Sequence, residues 1–437
     1  MRTNHWSVRV IALAIGVALA APLSARAEEE PSQISSLEQR LMALEDRLAT
    51  SEATVASQKK VITAANLDSA LARDESNKSF WDGVVTGGHV AVSYGFNFNN
   101  PNPGTALAQP LYTFNQRHSE FRLDAAKIEI GKPTEGPGTA GFQFDMLYGQ
   151  NADILRVLST TATPATQTDD ELSTFVQQAY VAYNLNGVEL IMGRWQTILG
   201  YEVLDSLENP NVTHGLLTQW LQPFFHTGVL ASGQLTENLS WAAGVANGFN
   251  NSTENNDQKA ALGQLAFESG NFFTSLSGYY GFDNQSGVGA DAVTSSDPNY
   301  ILDIVATLQV TDALGLWLNA DLGEAEDLDP TGGDAQYWGV SVGGKMQLSD
   351  ATYFAVRYDY LEDDEGVRGI GGAGLEASSI TGTIGHQLTD RLLVRAEVRY
   401  DEADDDPAGG AIFPDDSVAG FADDGVFGIV EAVFSLD

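Results

Sequence analysis

Gly339–Gly343, GVSVG, sets a serine between glycines at the spacing of a nucleophile elbow, and Gly369–Gly374, GIGGAG, has the spacing of a dinucleotide-binding turn. Each chemistry needs a particular local fold. The elbow requires a sharp strand-to-helix turn, whereas Ser341 lies in the middle of an alternating apolar and polar segment. A phosphate cradle requires a helix N-terminus, whereas Gly369–Gly374 runs into LEASSITGTIG, which reads as a strand. His89, His118, His214, His226 and His386 are scattered without metal-ligand spacing. DLDPTGGD, Asp327–Asp334, begins like a calcium loop but carries Trp338 where the closing glutamate belongs. Cysteine is absent, which excludes thiol catalysis and cysteine-ligated zinc. Nothing here assembles a catalytic group, so the chain is expected to be no enzyme and to use no cofactor.

The charges that remain follow a different spacing. In RLLVRAEVRYDEADDD, residues 391–406, Leu392, Val394, Ala396, Val398 and Tyr400 alternate with Arg395, Glu397, Arg399 and Asp401. Read as a strand, this puts hydrocarbon on one face and charge on the other. Ala335–Leu348 and Thr352–Leu361 repeat the pattern and set Lys345 and Arg357 on their polar faces. Charges held in this way act through their field on whatever passes them, and the elements that position them must supply both a wet face and a dry one.

From about Phe80 to the end, period-two segments follow one another, roughly sixteen in all. The connections alternate between tight turns such as NLNG, LTEN, ESGN and LTDR and long acidic, glycine-rich loops such as EDDEGVRGIGGAGLE. A soluble sandwich has no reason to gather every long loop at one end, whereas an outer-membrane barrel does. The predicted fold is therefore an all-β transmembrane barrel of about sixteen antiparallel strands over residues 80–437. On this reading Leu392, Val394 and Val398 face lipid, and Arg395, Glu397 and Arg399 face a wet lumen.

The preceding segments read differently. Residues 1–27 have the form of a secretory leader: Arg2 and Arg9, an apolar run from Val10 to Ala21, and a small-residue site at Ala25–Ala27. Cleavage after Ala27 moves the net charge from −37 to about −40, which argues against nucleic acid as a partner and favours cations. Residues 28–63 contain an a/d seam of Ile34, Leu37, Leu41, Leu44, Leu48, Ser51, Val55, Gln58 and Ile62. That seam predicts a periplasmic α-helical coiled coil, and a single helix lying on another surface remains open. Residues 64–79 read as a linker. After the leader, no stretch approaches 18 consecutive apolar residues, so helical membrane spans are not expected.

From about residue 80 onward the chain resembles the OmpL-like β-barrel porins. QAYVAY at Gln178–Tyr183, GRWQTILGYE at Gly193–Glu202, HTGV at His226–Val229 and NGFN at Asn247–Asn250 carry the resemblance. It implies an outer-membrane porin, a passive pore for small hydrophilic solutes or ions, with lipid and lipopolysaccharide around it and a homotrimer as its assembly. By resemblance to general porins, the third long connection, Thr197–Pro223, would fold into the lumen and offer Glu202, Asp205 and Glu208 as constriction acids. A cap outside the barrel is the alternative. Lys345, Arg357, Arg395 and Arg399 are then expected to line a basic wall facing those acids, unless each only neutralises an inward carboxylate such as Asp359, Glu397 or Asp401. The acidic loops predict a weakly cation-selective mouth, and either hold divalent cations loosely between lipopolysaccharide phosphates or form a solvated, self-repelling surface. Two other functions stay open: a barrel that only anchors the helical segment to peptidoglycan, and a barrel enzyme with its groups at one rim.

Overall fold

The computed structural model describes residues 81–101, 110–159, 173–254, 257–282, 298–326, 334–363, 365–366, 374–404, 412–415 and 420–436. The expected leader, coiled coil and linker lie outside these residues, as do Asp327–Asp334 and Gly369–Gly374 apart from their last residues.

Sixteen strands close an antiparallel barrel. In chain order these are β1 (Val85–Asn97), β2 (Glu120–Lys132), β3 (Ala140–Gly149), β4 (Ser173–Leu185), β5 (Val188–Gln196), β6 (Phe225–Gln234), β7 (Leu239–Ala246) and β8 (Ala260–Ser269). They continue as β9 (Phe272–Gly281), β10 (Asn299–Thr311), β11 (Leu314–Ala325), β12 (Ala335–Gln347), β13 (Thr352–Asp363), β14 (Leu375–Thr389) and β15 (Leu392–Asp404). The short β16 (Phe413–Asp415) and β17 (Gly420–Ala422) pair as a separate hairpin, and β18 (Asp424–Ser435) closes the wall against β1. Closure leaves no unpaired strand edge, which is the condition for β-structure in hydrocarbon.

Period two sets the two faces. Val181, Met192, Leu265, Ile304, Leu322, Ile380 and Val398 point outward and are exposed, while the alternate positions are buried inside. A band of exposed large apolar side chains around a closed sheet is stable only against lipid. The short turns use residues that tolerate left-handed backbone. Asn186 and Gly187, at φ 53° and 95°, join β4 to β5 through a two-residue hairpin. At the other end lie eight long connections, of which L1 (98–119), L2 (150–172, opening with helix α1, Gln150–Leu158) and L3 (197–224) matter below.

Three inner-wall aromatics lie over cross-strand glycines: Tyr337 over Gly323, Trp317 over Gly343 and Tyr353 over Gly385. A Cβ at each glycine would come within 2.1–2.2 Å of the ring. The glycines thus let three bulky rings lie along the wall instead of across the lumen.

Candidate functional site

L3 enters the barrel and is tied to the inner face of β13, β14, β15 and β18. Glu202 Oε1 meets Arg357 Nη1 at 2.6 Å, and Glu202 Oε2 accepts the Gly215 N–H. Arg357 also donates to the Thr213 carbonyl at 2.7 Å and to Asp359 at 2.7 Å. Arg395 donates to the carbonyls of Asn209 and Asn211 and pairs with Glu431. Arg399 donates to the His214 carbonyl at 2.7 Å and to Asp401, with Tyr112 of L1 across its guanidinium at 4.3 Å. Glu397 accepts the N–H groups of Val212 and Thr213 at 2.6 and 2.9 Å and hydroxyls from Thr213 and Thr383. Arg357, Arg395, Arg399 and Glu397 each have both a charged or hydroxyl neighbour and a backbone group of L3, which is how buried ions become tolerable.

Next along the barrel, beyond β18 and β1, Asp205 meets Lys127 of β2 at 2.7 Å, with Asp145 at 3.5 Å from the same ammonium. Burial alone would raise the carboxyls of Glu202 and Asp205, but Arg357 with His214, and Lys127 with His89, hold them below their ordinary values. Burial lowers His214 in turn, and its Nε2–H donates to the Val203 carbonyl.

L1 packs on L3. Thr113 donates from its N–H to Gln219 Oε1 and from its hydroxyl to the Gln219 carbonyl, while Trp220 Nε1 donates to the Leu111 carbonyl. Leu111, Tyr112, Leu216, Leu217 and Leu221 join inward side chains such as Ile301, Tyr337, Leu361 and Phe427 in one buried apolar cluster. A single π-helical turn, Leu217–Leu221, seats this cluster against β11, β12 and β13.

The wall of β8–β11 holds L3 by other means. Asn319 accepts the Tyr201 N–H at 3.2 Å and the Gln222 amide at 2.8 Å, and Asp321 accepts the same amide at 2.8 Å. Gln264 and Ser277 both donate to the Ile198 carbonyl. Tyr201 stacks on Trp317 at 5.0 Å.

Between L3 and the wall a cavity of about 530 Å³ remains, lined among others by Gln178, Glu189, Ile191, Glu208, Phe273, Lys345, Gln347 and Asp350. Glu208 and Asp350 are exposed there, and Glu189 and Lys345 half-buried. Lys345 lies over the Tyr353 ring at 4.2 Å.

These positions revise the expected basic wall. Arg357, Arg395 and Arg399 point inward, but each is 0 % exposed beneath L3, and of the four basic residues Lys345 alone lines the cavity. Arg357 pairs with Asp359 and Arg399 with Asp401, whereas Arg395 takes Glu431 instead of Glu397. Glu202 touches Arg357 directly, so no gap separates those charges and no transverse field spans them. Asp205 turns instead to Lys127, a residue the alternation hides. A register shift opposite Ala91/Val92 moves β2 from an inward Arg122 and Asp124 to an inward Lys127, breaking the parity. Ser341 lies mid-strand in β12, buried, with no turn around it.

The profile of the family described as "Putative beta-barrel porin-2, OmpL-like" matches residues 83–436. No curated protein matches the sequence. Among solved structures, an anion-selective porin from Comamonas acidovorans is similar at TM-score 0.55 and 11% identity, covering 81% of this chain and 99% of that one. The outer membrane channel DcaP of Acinetobacter baumannii is similar at TM-score 0.53 and 12% identity, covering 80% and 97%. The trimer form of OmpT, an outer membrane protein of Vibrio cholerae, is similar at TM-score 0.52 and 13% identity, covering 80% and 98%. At these identities the likeness is one of fold.

Proposed function

We propose, for a chain that belongs to the OmpL-like beta-barrel porin-2 family, that it forms an outer-membrane pore through which small hydrophilic solutes or ions diffuse passively. The observation that carries this reading is L3 inside the lumen, fixed by Arg357, Arg395, Arg399 and Glu397 to the wall, which narrows the path instead of covering it from outside. A solute in the remaining cavity meets Glu189, Glu208, Asp350 and Lys345. Burial within the lumen and the neighbouring Asp205 push the Glu208 carboxyl up to about 8, so Glu189 and Asp350 against Lys345 give a weak preference for cations at neutral pH, reinforced at the mouth by a chain of net charge −37. The same reading takes the assembly as a homotrimer in lipid and lipopolysaccharide, supported by the trimer form of the Vibrio cholerae relative in fold.

The test is single-channel recording of the full chain in a planar bilayer, using protein whose folding is verified by a shift in gel mobility on boiling. Discrete conductance steps are expected. Folded protein that inserts and gives no steps overturns the pore.

A further inference from the structure

Lys127 is shared to the limit of its donors. An ammonium offers three hydrogens, and three carboxylates draw on this one: Glu129 at 2.6 Å, Asp205 at 2.7 Å and Asp145 at 3.5 Å. Glu208 is a fourth carboxylate at the same corner, with no ion pair among the described residues. L3 makes one 3₁₀ turn, Ser206–Glu208, which opens at Asp205 and is closed by the Glu208 N–H donating to the Asp205 carbonyl at 3.0 Å. Residues three apart in such a turn lie one above the other, so the Glu208 carboxyl stands beside that of Asp205. Asp205 is buried, whereas Glu208 is exposed to the cavity.

The groups around Glu208 leave its charge uncompensated. Lys127 and Glu129 of β2 and Asp145 of β3 face it from the near wall, and Asp205 from L3 itself. His89 of β1 lies behind Asp205, and Glu431 of β18, beside Ser206, is closed by Arg395. Around the cavity stand Glu189 of β5, Lys345 of β12 and Asp350 of the β12–β13 turn. Three acids and one base at the near corner already leave a net negative charge, so a further one is disfavoured there. Burial within the lumen and the Asp205 charge together push the Glu208 carboxyl up to about 8.

We propose that Glu208 is the proton-operated selectivity residue of this pore: protonated, it is a neutral polar tip on L3, and deprotonated, it adds a fixed negative charge to the path and strengthens the preference for cations. The proposal rests on the reading of the chain as a pore. With the proton on, Glu189 and Asp350 stand against Lys345; with it off, a third acid joins them at the narrowed part of the lumen. Walls of low dielectric focus the field of such a charge on whatever passes it. The switch needs no movement of L3, because Lys127 holds Asp205 and the Asp205 carbonyl closes the turn that carries Glu208.

Reversal potentials of the full chain across a potassium chloride gradient at low salt are compared at about pH 7 and about pH 9, either side of the Glu208 transition. Cation preference is expected to rise with pH in the wild type and in Lys345→Gln, and to stay constant in Glu208→Gln. A flat wild type overturns the proposal, whether or not the variant folds, as does an equal rise in Glu208→Gln. A second readout needs no current. Between the same pH values the folded wild type in detergent, titrated potentiometrically, should release about one proton per chain more than Glu208→Gln, and equal release overturns the proposal. An extra proton from a folded chain that gives no conductance steps would uphold the titration of Glu208 and overturn the pore instead.

Discussion

The two walls that grip L3 solve the same burial problem in opposite ways. On β13–β18, Arg357, Arg395 and Arg399 are fully buried, yet each has its acid and an L3 carbonyl, so the charges close among themselves. On β10 and β11, Asp303 and Asp321 are buried as deeply with no ion pair among the described residues: they are hydrogen-bonded to each other, Asp303 also to Asn319, Ser277 and the Gly200 N–H, and Asp321 to Gln222. The first wall fixes L3 through ion pairs; the second fixes it through neutral donors and acceptors.

The largest way to break this comparison is to remove one partner from the complete wall. Arg357→Met strands Glu202 and Asp359, and breaking a buried pair in this way costs about 3–5 kcal/mol, measured as a lower midpoint in urea unfolding from detergent. Equal stability would show that the wall is not closed by its own ions. A sharper contrast uses one chemical change twice. Asp359→Asn removes a charged hydrogen bond to Arg357 and should destabilise by about 1–3 kcal/mol. Asp321→Asn keeps a hydrogen-bonding side chain beside Asp303 and breaks no ion pair, so it should lower the midpoint less; an equal loss at both sites would erase the distinction between the walls.

A smaller effect concerns the charges that face the cavity. Reversal potentials across a potassium chloride gradient at neutral pH should show greater cation preference in Lys345→Gln and less in Asp350→Asn. Both differences should fade as salt rises, since charges are screened over about 10 Å at 0.1 M. Arg395→Gln shifting selectivity more than Lys345→Gln would place the arginine in the path.

The smallest effect is on pH. Glu202 and Asp205 lie below their ordinary values of 4.5 and 3.8, so their contribution is complete above those values and is lost as pH falls through the lowered ones. Unfolding midpoints should therefore be insensitive to these two groups at neutral pH and drop only in stronger acid. Glu202→Gln, lower than wild type at neutral pH, should converge with it there.

The strands were legible because lipid on one side and a filled lumen on the other force a strict period of two, visible from Val84 to Leu436. The inward faces of Lys345, Arg357, Arg395 and Arg399 followed from the same parity. Their partners did not. Thr213, Asn209 and His214 offer main-chain carbonyls to the arginines, and a carbonyl has no sequence signature. Lys127 was hidden by a bulge that resets parity within β2. Asp303 and Asp321 carried a signal that basic residues drew attention from: two inward acids facing each other on neighbouring strands with no inward base between them.

The central claim is that the open path runs along the exposed face of L3, past Glu208 and Lys345, while the arginine wall is sealed. The chain contains no cysteine, so single thiols can be placed without background. The decisive measurement is single-channel current before and after a cationic methanethiosulfonate reagent on Glu208→Cys, Lys345→Cys and Thr381→Cys, the last beside Arg357 and fully buried. The account predicts a stepwise fall in current at positions 208 and 345 and no change at 381. Block at 381 with silence at 208 and 345 would contradict it.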